Sequence, residues 1–555
     1  MPAFSSPPFP MKRLLPLLVF GSCSAVAAAT NADVAAPVVA GGGAFALHKP
    51  EMHHQGWIDL NKNGQKDAYE DVALPVETRV ADLLARMTRE ERVGQLLQKL
   101  MKEKSDETEA TLVSSGQLGS FLGVAPDAHL RNRLQRLAVE ESRLGIPLIF
   151  GFDTIHGFRT TYPIPLGLSC AWDPALVERV TAMAALESTA VGVDWTFAPM
   201  VDIARDPRWG RIAEGHGEDP YLGGLLAAAA VRGFQGSDYG RPGRVAACLK
   251  HYVGYGAAEG GRDYNTTEIG LPTLRNLYLP PFRAGVQAGA ATLMSAFNCL
   301  NGVPASGNRF TLDDVLRREW AFQGFVVSDW ESVNELVHHG YAADQAEAGV
   351  LGLTAGVDME MVSECYRQLP AMIDRKQLDA AVLDEAVRRI LRVKFHKGLF
   401  DRPYTGPVPV DTAAHLALAR AAVAQSCVLL KNAAGILPLQ TRSLAIIGPL
   451  AENRAELLGC WSALGQADEV VTLKAGLEAA VKKGKWRSAP GCALTGPAVA
   501  ADLVVPLPLH PSRLRERGFN QALELARPVA VTLGLPLDSR ICTRIRHTPA
   551  QAGLP

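Results

Sequence analysis

Apolar residues recur at helical spacing where the patterned part of the chain begins. One helix begins at Val76, and a second begins after Thr88, because Glu91 stands three residues later, as in a capping box. The apolar faces of these helices consist of Val80, Leu83, Leu84 and Met87, and then of Val93, Leu96 and Leu97. The pattern predicts that this region opens with two consecutive amphipathic helices.

Short apolar runs then alternate with helical stretches. Each run is apolar throughout rather than alternating, which is typical of strands that are buried on both faces. A repeated order of strand and helix predicts an α/β fold, either a (β/α)8 TIM-like barrel or a doubly wound parallel sheet. The runs lie at 118–124, 147–152, 194–199, 245–252, 291–298, 325–330 and 356–361.

Polar or charged residues follow almost every run. In a barrel the carboxyl ends of the strands converge on one face, where the functional site is built, whereas an open sheet spreads them along an edge. The pattern therefore favours the barrel, although the sequence does not give the number of strands. The residues at these ends are Asp153, Asp202, Lys250 with His251, Asn298, Asp329 and Glu360.

A Pro- and Gly-rich break at 401–411 ends the barrel, and a helix and two strand-like runs, 428–430 and 444–447, begin a second α/β domain. From about residue 498 the chain becomes rich in Arg, Pro and Leu and contains no Lys. We expect a signal peptide at 1–30, a linker with an EF-hand-like loop at 31–74, the barrel at 75–400, a linker at 401–415, a truncated α/β sandwich domain at 416–497 and a short foreign α/β fragment at 498–555.

Composition and charge exclude some partners. The 555 residues carry a formal net charge of -1, which gives no electrostatic reason to expect nucleic acid or an anionic membrane as a partner. A neutral, polar ligand such as a sugar is compatible with this balance. The nine cysteines include no CxxC pair, so neither a zinc ribbon nor a thioredoxin-like site is indicated.

The first residues predict export. Lys12 and Arg13 precede an apolar run at 14–20 and small residues at 21–30, the order found in a secretory signal peptide. A short membrane anchor is the alternative, but this run is too short to span a bilayer, and no other run is long enough. Cys23 lies where a lipoprotein cysteine would lie, yet Phe20 is unsuited three positions before it. We expect a periplasmic or secreted protein.

One strand end offers a carboxylate suited to sugar chemistry. Asp329 closes the run 325–330, and a carboxylate at the tip of a buried strand is costly unless it is solvated, paired or functional. Trp330 next to it offers a flat apolar face of the kind that stacks on a sugar ring. The alternative is an Asp that caps a helix in the following loop. For Lys250 and His251, the alternative to a functional role is a loop ion pair.

A loop near the start resembles a calcium site. Its oxygen donors occupy positions 1, 3, 5, 9 and 12 of a twelve-residue EF-hand loop, with Gly64 at the sharp turn and a backbone carbonyl at position 7. We expect a structural Ca2+ here, and the alternative is a polar turn closed by Asx hydrogen bonds. The predicted ligands are Asp59, Asn61, Asn63, Gln65, Asp67 and Glu70.

Several motifs follow one another along the chain. They are DTIHGFR at 153–159, RDPRWGR at 205–211, KHYVGYG at 250–256, EGGRDYN at 259–265, SAFNCLNG at 295–302, VSDW at 327–330 and AGVDM at 355–359. Their order and spacing, over roughly residues 50–490, resemble glycoside hydrolase family 3, especially its periplasmic β-glucosidase branch, and are far more specific than any single motif. The resemblance implies a retaining β-glycosidase that needs no cofactor for catalysis.

The same resemblance assigns roles to individual residues. Asp329 is the expected nucleophile, Trp330 lines the next subsite, and Met361 lies against the bound ring. Phe297 stands where many relatives carry Tyr, and Tyr255 stands where the N-acetylglucosaminidase branch carries His, which favours glucosidase-like chemistry. The residues expected to hold the non-reducing sugar are Asp153, Arg159, Arg211, Lys250 and His251.

The resemblance places the acid/base Glu of these enzymes in the second domain, beyond the segments that match 458–461 and 489–492. After Gly496 the chain instead resembles the ComF family of phosphoribosyltransferase-like proteins, without that family's zinc cysteines or phosphate loop. We expect hydrolysis of terminal β-D-glucosyl residues of oligosaccharides, impaired because the acid/base is missing. The alternative is a non-catalytic sugar-binding remnant, and the sequence gives neither the sugar nor the oligomeric state.

Overall fold

A ring of parallel strands forms the centre of the protein. The computed structural model describes residues 49–101, 107–123, 128–432, 435, 437–438, 443–480 and 485–489. Eight strands of one sheet run parallel in the order β4-β3-β2-β1-β8-β7-β6-β5. They are β1 Leu97–Leu100, β2 Ser120–Leu122, β3 Ile149–Phe152, β4 Trp195–Thr196, β5 Cys248–Tyr252, β6 Thr292–Ser295, β7 Phe325–Trp330 and β8 Met359–Met361.

The ring is closed between β4 and β5, the two strands at the ends of this order. Parallel bridges join Trp195 to Ala246 and Met200 to Lys250, and the backbone N–H of Thr196 donates to the carbonyl of Ala246 at 2.9 Å. Closure removes exposed sheet edges and directs all eight carboxyl ends to one face. The predicted TIM-like barrel is therefore confirmed.

Helices surround the strands. They are α1 Val76–Arg86, α2 Arg89–Gln95, α3 Glu107–Ser114, α4 Ala128–Arg136, α5 Pro165–Ser169, α6 Pro174–Thr189, α7 Pro220–Gln235, α8 Leu271–Thr273, α9 Leu279–Gln287, α10 Glu335–His338, α11 Gln345–Ala355, α12 Leu369–Asp374 and α13 Ala380–His396. Three segments run as π-helix, at Leu137–Glu141, Leu274–Tyr278 and Phe310–Glu319. None of the helices in the described parts of the chain is long and apolar enough to cross a bilayer.

The beginnings of the helices follow from local sequence. Asp173 and Asp219 each precede a proline and accept hydrogen bonds from backbone N–H groups of the first turn of α6 and α7. Proline at the first helical position costs no hydrogen bond, and the aspartate satisfies donors that the helix leaves free. The predicted capping box of Thr88 and Glu91 is present at the start of α2.

Each predicted apolar run contains one barrel strand, but one strand was assigned wrongly. Leu97 was expected to continue the second helix, whereas α2 ends at Gln95 and Leu97 begins β1. The pair Leu96 and Leu97 is compatible with either period. Leu97 belongs to a strand because β1 pairs in parallel with β2 and β8. The spacing of apolar residues does not reveal this pairing.

The second unit begins with α14, Thr412–Ser426, followed by the parallel pair β9 Ser443–Ile447 and β10 Lys485–Ala489, with α15 Leu473–Ala480 between them. Helix α14 begins inside the predicted linker, because the side chain of Asp411 caps it. Residues 428–430 were expected to form a strand, and this was wrong: they are exposed and adopt no regular structure. The predicted signal peptide and the segment 498–555 lie outside the described residues.

Two buried cations brace the end of the barrel opposite the carboxyl ends. Lys394 donates its three hydrogens to the side chain of Gln95 at 2.7 Å and to the carbonyls of Gly119 and Pro147, both at 2.8 Å. Burial lowers the pKa of Lys394 to about 7. Arg131 pairs with both carboxylate oxygens of Asp194, at 3.2 and 3.0 Å. These hydrogen bonds and the ion pair offset much of the cost of burying the two charges, although Nε of Arg131 has no partner among the described residues.

We predict that Asp194→Ala destabilises the protein by about 3–5 kcal/mol, because the guanidinium of Arg131 stays buried without a counter-charge. Urea-induced unfolding at pH 7.5 measures the change. The matched control is Asp374→Ala, since Asp374 pairs with Arg89 at the surface, and loss of such a pair costs below about 1 kcal/mol. Equal losses in the two variants would contradict the prediction.

Candidate active site

The carboxyl ends of β3, β5 and β7 bring predicted site residues together. Lys250 donates to Asp153 with Nζ 2.5 Å from Oδ1, and His251 Nε2 lies 3.4 Å from Asp329 Oδ2. The side chains of Lys250 and His251 are almost completely buried. The two pairs form the floor of the candidate active site.

Asp329 keeps one oxygen free. Its Oδ1 accepts the backbone N–H of Trp330 at 2.7 Å, while Oδ2 is buried and accepts no hydrogen bond from the described residues. Burial raises the pKa of Asp329 to about 6, against the opposing charges of Arg211 and Lys250. The carboxylate is therefore ionised in neutral solution, and one oxygen remains available to a bound molecule.

His251 is held from three sides. Its Nδ1 lies 2.8 Å from Asp202 Oδ2, its backbone N–H donates to the same oxygen at 2.9 Å, and Arg211 Nη2 lies 3.0 Å from Nε2. Burial and the charges of Arg211 and Lys250 lower the pKa of His251 far below its usual value. The imidazole is neutral. The sequence placed Asp202 near a strand end without assigning it a role.

Arg211 is positioned by a carboxylate of its own segment. In the 3₁₀-helix Gly210–Glu214, its Nε and Nη2 donate to the two oxygens of Glu214 at 2.8 and 2.9 Å. Burial opposes the charged form, but the bond to Glu214 outweighs it, so the pKa of Arg211 is raised. This bidentate pair holds the guanidinium so that Nη2 also reaches His251 Nε2.

Aromatic side chains line the rim beside Asp329. Trp330 is 42% exposed, and Met361 is buried and pairs with Trp330 in the sheet register. Phe297 packs against Tyr264 with ring centroids 4.5 Å apart. Burial, and after it the charge of Asp329, raises the pKa of Tyr264. Sequence reasoning missed Tyr264, although it belongs to the motif EGGRDYN.

The second unit contributes to this face of the barrel. The ring of Trp461 lies with its centroid 5.4 Å from Lys250 Nζ, and His156 Nε2 lies 2.5 Å from the carbonyl of Cys460. Arg159 pairs with Glu469 at 2.5 Å. Of the predicted sugar-binding and catalytic residues, the structure thus brings Asp153, Lys250, His251, Arg211 and Asp329 to one face. Arg159 instead pairs with Glu469 of the second unit. No sequence pattern indicates that Trp461 lies near Lys250.

The EF-hand-like loop is held by hydrogen bonds of its own. Asp59 accepts the backbone N–H groups of Asn63 and Gly64 at 3.1 and 2.9 Å, and Glu70 accepts those of Leu60 and Asp67 at 2.7 and 2.9 Å. The amide groups of Asn61 and Asn63 donate to Asp67, which also pairs with Arg86. The backbone N–H of Gln65 donates to Asn63 at 2.7 Å. These bonds match the alternative of a closed polar turn.

In the described ranges, no group of three or more His, Cys, Asp or Glu side chains is arranged to hold a metal ion. The calcium site at Asp59, Asn61, Asn63, Gln65, Asp67 and Glu70 therefore stays a prediction.

Comparison with known families gives two matches. The sequence model described as the glycosyl hydrolase family 3 N terminal domain matches residues 88–393. The model described as the glycosyl hydrolase family 3 C-terminal domain matches residues 427–535. The first match contains all eight barrel strands and every residue of the floor described above.

Individual relatives agree. The chain is 42% identical over 417 residues to the periplasmic beta-glucosidase of Salmonella typhimurium, which covers 73% of this chain and 54% of that protein. It is 32% identical to the periplasmic beta-glucosidase/beta-xylosidase of Dickeya chrysanthemi, over 72% of this chain and 71% of that protein. The beta-glucosidase from Listeria innocua in complex with gluconolactone superposes with a TM-score of 0.71 at 38% identity, over 75% of this chain and 60% of that chain. The chain spans about half the length of several of the curated relatives it matches, with 53–56% of those proteins covered.

We predict that Asp329→Asn stabilises the fold at pH 7.5. The pKa of Asp329 in the folded protein, about 6, exceeds its ordinary value of 3.8, so the ionised carboxylate costs stability above pH 6, and this cost disappears as the pH falls below about 4. The gain at pH 7.5 is at most about 3 kcal/mol. Urea unfolding at pH 7.5, 6 and 4.5 measures it.

The control for this prediction is Asp206→Asn. Hydrogen bonds from Arg208 lower the pKa of Asp206 to about 2, so loss of its charge should bring no stabilisation at pH 7.5. If Asp329→Asn is less stable than the parent protein at pH 7.5, burial is not the dominant influence on Asp329.

Proposed function

The chain belongs to glycosyl hydrolase family 3, and on this premise we propose that it hydrolyses terminal, non-reducing β-D-glucosyl or related residues of oligosaccharides and other glycosides. The reaction proceeds with retention by a double displacement. The observation that carries the proposal is the buried carboxylate of Asp329, which has one oxygen without a hydrogen bond from the described residues. The pair of Lys250 with Asp153 and the pair of Arg211 with His251 lie at the same face of the barrel.

Asp329 is the proposed nucleophile. Its Oδ2 attacks the anomeric carbon, the bond to the leaving oxygen breaks, and a covalent glycosyl-enzyme forms, which water then hydrolyses. Burial raises the pKa of this carboxylate to about 6, and the charges of Arg211 and Lys250 limit the rise, so it remains ionised near neutral pH. The hydrogen bond from the Trp330 backbone fixes the other oxygen and thereby orients the attacking one.

The charged pairs beside Asp329 are suited to sugar hydroxyls, which both donate and accept hydrogen bonds. Asp153 accepts from a hydroxyl, Lys250 and Arg211 donate to one, and His251 accepts at Nε2. Trp330 offers a half-exposed ring to the leaving group, and Met361 offers an apolar surface to the bound ring. Arg159 completes the proposed set if its pair with Glu469 opens towards the sugar.

Names of the relatives support the sugar class and the location. Glucosidase and xylosidase activities both appear in those names, so we keep glucose and xylose as candidate sugars. Two of the relatives are named as periplasmic proteins, which supports the proposed export. The match to the C-terminal family domain runs to residue 535. The resemblance of 498–555 to the ComF family therefore stays a hypothesis without support from the comparisons.

We expect Asp329→Asn to lower the rate of hydrolysis of an activated aryl β-glucoside by about 10³-fold or more, because the amide cannot form the covalent intermediate. Steady-state release of the aryl alcohol measures the rate, and Asp374→Asn at the surface is the control. A series of aryl glucosides whose leaving groups differ in pKa then reports on the acid/base. A steep dependence on leaving-group pKa indicates impaired protonation, and a flat one indicates an effective general acid.

Two outcomes would contradict the proposal. Hydrolysis that survives in Asp329→Asn would exclude Asp329 as the nucleophile. Binding of glucose in calorimetry without release from the most activated substrate would favour the alternative of a sugar-binding protein without catalysis.

The EF-hand-like loop forms a separate proposal of a structural Ca2+ site. Its donors are oxygens of the kind that Ca2+ prefers, and Gly64 has the positive φ of 78° that the sharp turn requires. Burial raises the pKa of Glu70, and a bound cation would favour its ionised form. The ion would hold the arm before α1 against the barrel and take no part in the chemistry.

We expect 2 mM Ca2+ to raise the melting temperature of the intact protein by several degrees relative to EDTA, since a ligand that binds only the folded state stabilises it. In Asp59→Ala this shift should be lost, whereas Asp71→Ala, outside the donor set, should keep it. Terbium luminescence sensitised by nearby aromatic rings provides a second readout. A parent protein that shows neither a thermal shift nor luminescence would exclude the site.

A further inference from the structure

We propose that Asp202 is a positioning residue that holds His251 in the tautomer with the proton on Nδ1. The lone pair of Nε2 then faces the hollow beside Asp329, where it accepts a hydrogen bond from Arg211 or from a sugar hydroxyl that takes its place. The assignment of the tautomer stands on geometry alone, and its consequence for catalysis rests on the proposed function.

The backbone places Asp202 beside His251. The N–H of Val201 donates to the carbonyl of Lys250 at 2.8 Å, and the N–H of Lys250 donates to the carbonyl of Pro199 at 3.2 Å. This ladder continues the barrel beyond β4 and fixes the register between the segment 199–202 and β5. The carboxylate is thereby held where one oxygen accepts both the backbone N–H and the Nδ1 side of His251.

Only one protonation state of His251 fits all of its contacts. With the proton on Nε2, two N–H groups would oppose each other across the 3.0 Å between His251 and Arg211. Protonation of Asp202 would not remove that conflict. A doubly protonated ring would place a second cation against Arg211 in a site where both side chains of the His251–Asp202 pair are 1% exposed. The neutral ring with its proton on Nδ1 satisfies every partner.

The tautomer also decides whether Asp329 receives a hydrogen bond from His251. His251 Nε2 lies 3.4 Å from Asp329 Oδ2, close enough for a hydrogen bond if Nε2 carried a proton. Such a bond would stabilise the carboxylate before attack and reduce its reactivity. Because Asp202 keeps the proton on the far side of the ring, Oδ2 stays unpaired and nucleophilic.

The first test needs only the parent protein. In uniformly ¹⁵N-histidine-labelled protein at pH 8, the long-range ¹H–¹⁵N spectrum distinguishes the two neutral tautomers, and His251→Gln assigns the signal by its loss. We expect the pattern of a proton on Nδ1. A pattern with the proton on Nε2, or a charged ring at pH 8, would overturn the inference without any kinetic measurement.

The second test is Asp202→Leu, a side chain of similar size that cannot accept a hydrogen bond. Because the same oxygen of Asp202 accepts the backbone N–H and the Nδ1 side of His251, its removal leaves the proton on Nδ1 without an acceptor, and the ¹⁵N spectrum should show both neutral tautomers in place of the single parent pattern. With an aryl β-glucoside we expect kcat to fall by roughly 10²-fold, with a smaller change in KM, because an oriented histidine is lost while most sugar contacts remain. The matched control is Asp194→Asn, which weakens another buried carboxylate pair. It should lower stability yet leave both the tautomer and kcat unchanged.

The outcomes separate the two proposals. If Asp202→Leu keeps the parent tautomer and kcat, Asp202 has only a structural role and the inference fails. If the parent protein shows the expected tautomer but neither binds nor hydrolyses a β-glucoside, the proposed function fails while the role of Asp202 stands. If Asp202→Leu does not fold, the spectrum of the parent protein still decides the assignment.

Discussion

The structure depends on the pairing of oppositely charged side chains that the barrel brings close together at one face. Closed parallel strands send their carboxyl ends to one face, so side chains distant in sequence meet where water is scarce. Each buried charge there has a partner of opposite sign or a backbone donor: Lys250 with Asp153, Arg211 with Glu214, and Asp329 with the N–H of Trp330. Without these partners the cost of desolvation would be several kcal/mol per ion.

The sequence predicted the parts of this arrangement that leave a local signal. Strands buried on both faces appear as continuous apolar runs, and the residue that ends such a run lies at the face of the site. This reasoning placed Asp153, Lys250, His251 and Asp329 at strand ends and predicted the barrel, which the structure confirms. It failed for β1, because Leu96 and Leu97 satisfy helix and strand spacing equally, and only pairing with neighbouring strands distinguishes the two.

Other features could not be predicted because they depend on contacts between distant segments. Asp202 approaches His251 only through the register between 199–202 and β5, and no spacing rule contains that register. Trp461 lies near Lys250 because the second unit packs against the barrel, and its sequence neighbours do not indicate this. Tyr264 was within a recognised motif, yet its packing on Phe297 and its position near Asp329 appeared only in three dimensions.

Because His251 is neutral, the charged side chains around it determine the net charge of the site. Among the described residues that contact one another there, four carboxyl groups, those of Asp153, Asp202, Glu214 and Asp329, face the two cations Lys250 and Arg211. Burial raises the pKa of Asp202 to about 7, so the other three carboxylates carry most of the negative charge. The surplus of negative charge favours a ring that gains positive charge at its anomeric carbon, as in an oxocarbenium-like transition state. The same surplus repels anions, so sugar acids and phosphorylated sugars are disfavoured by the fixed charges of the pocket, whatever their shape.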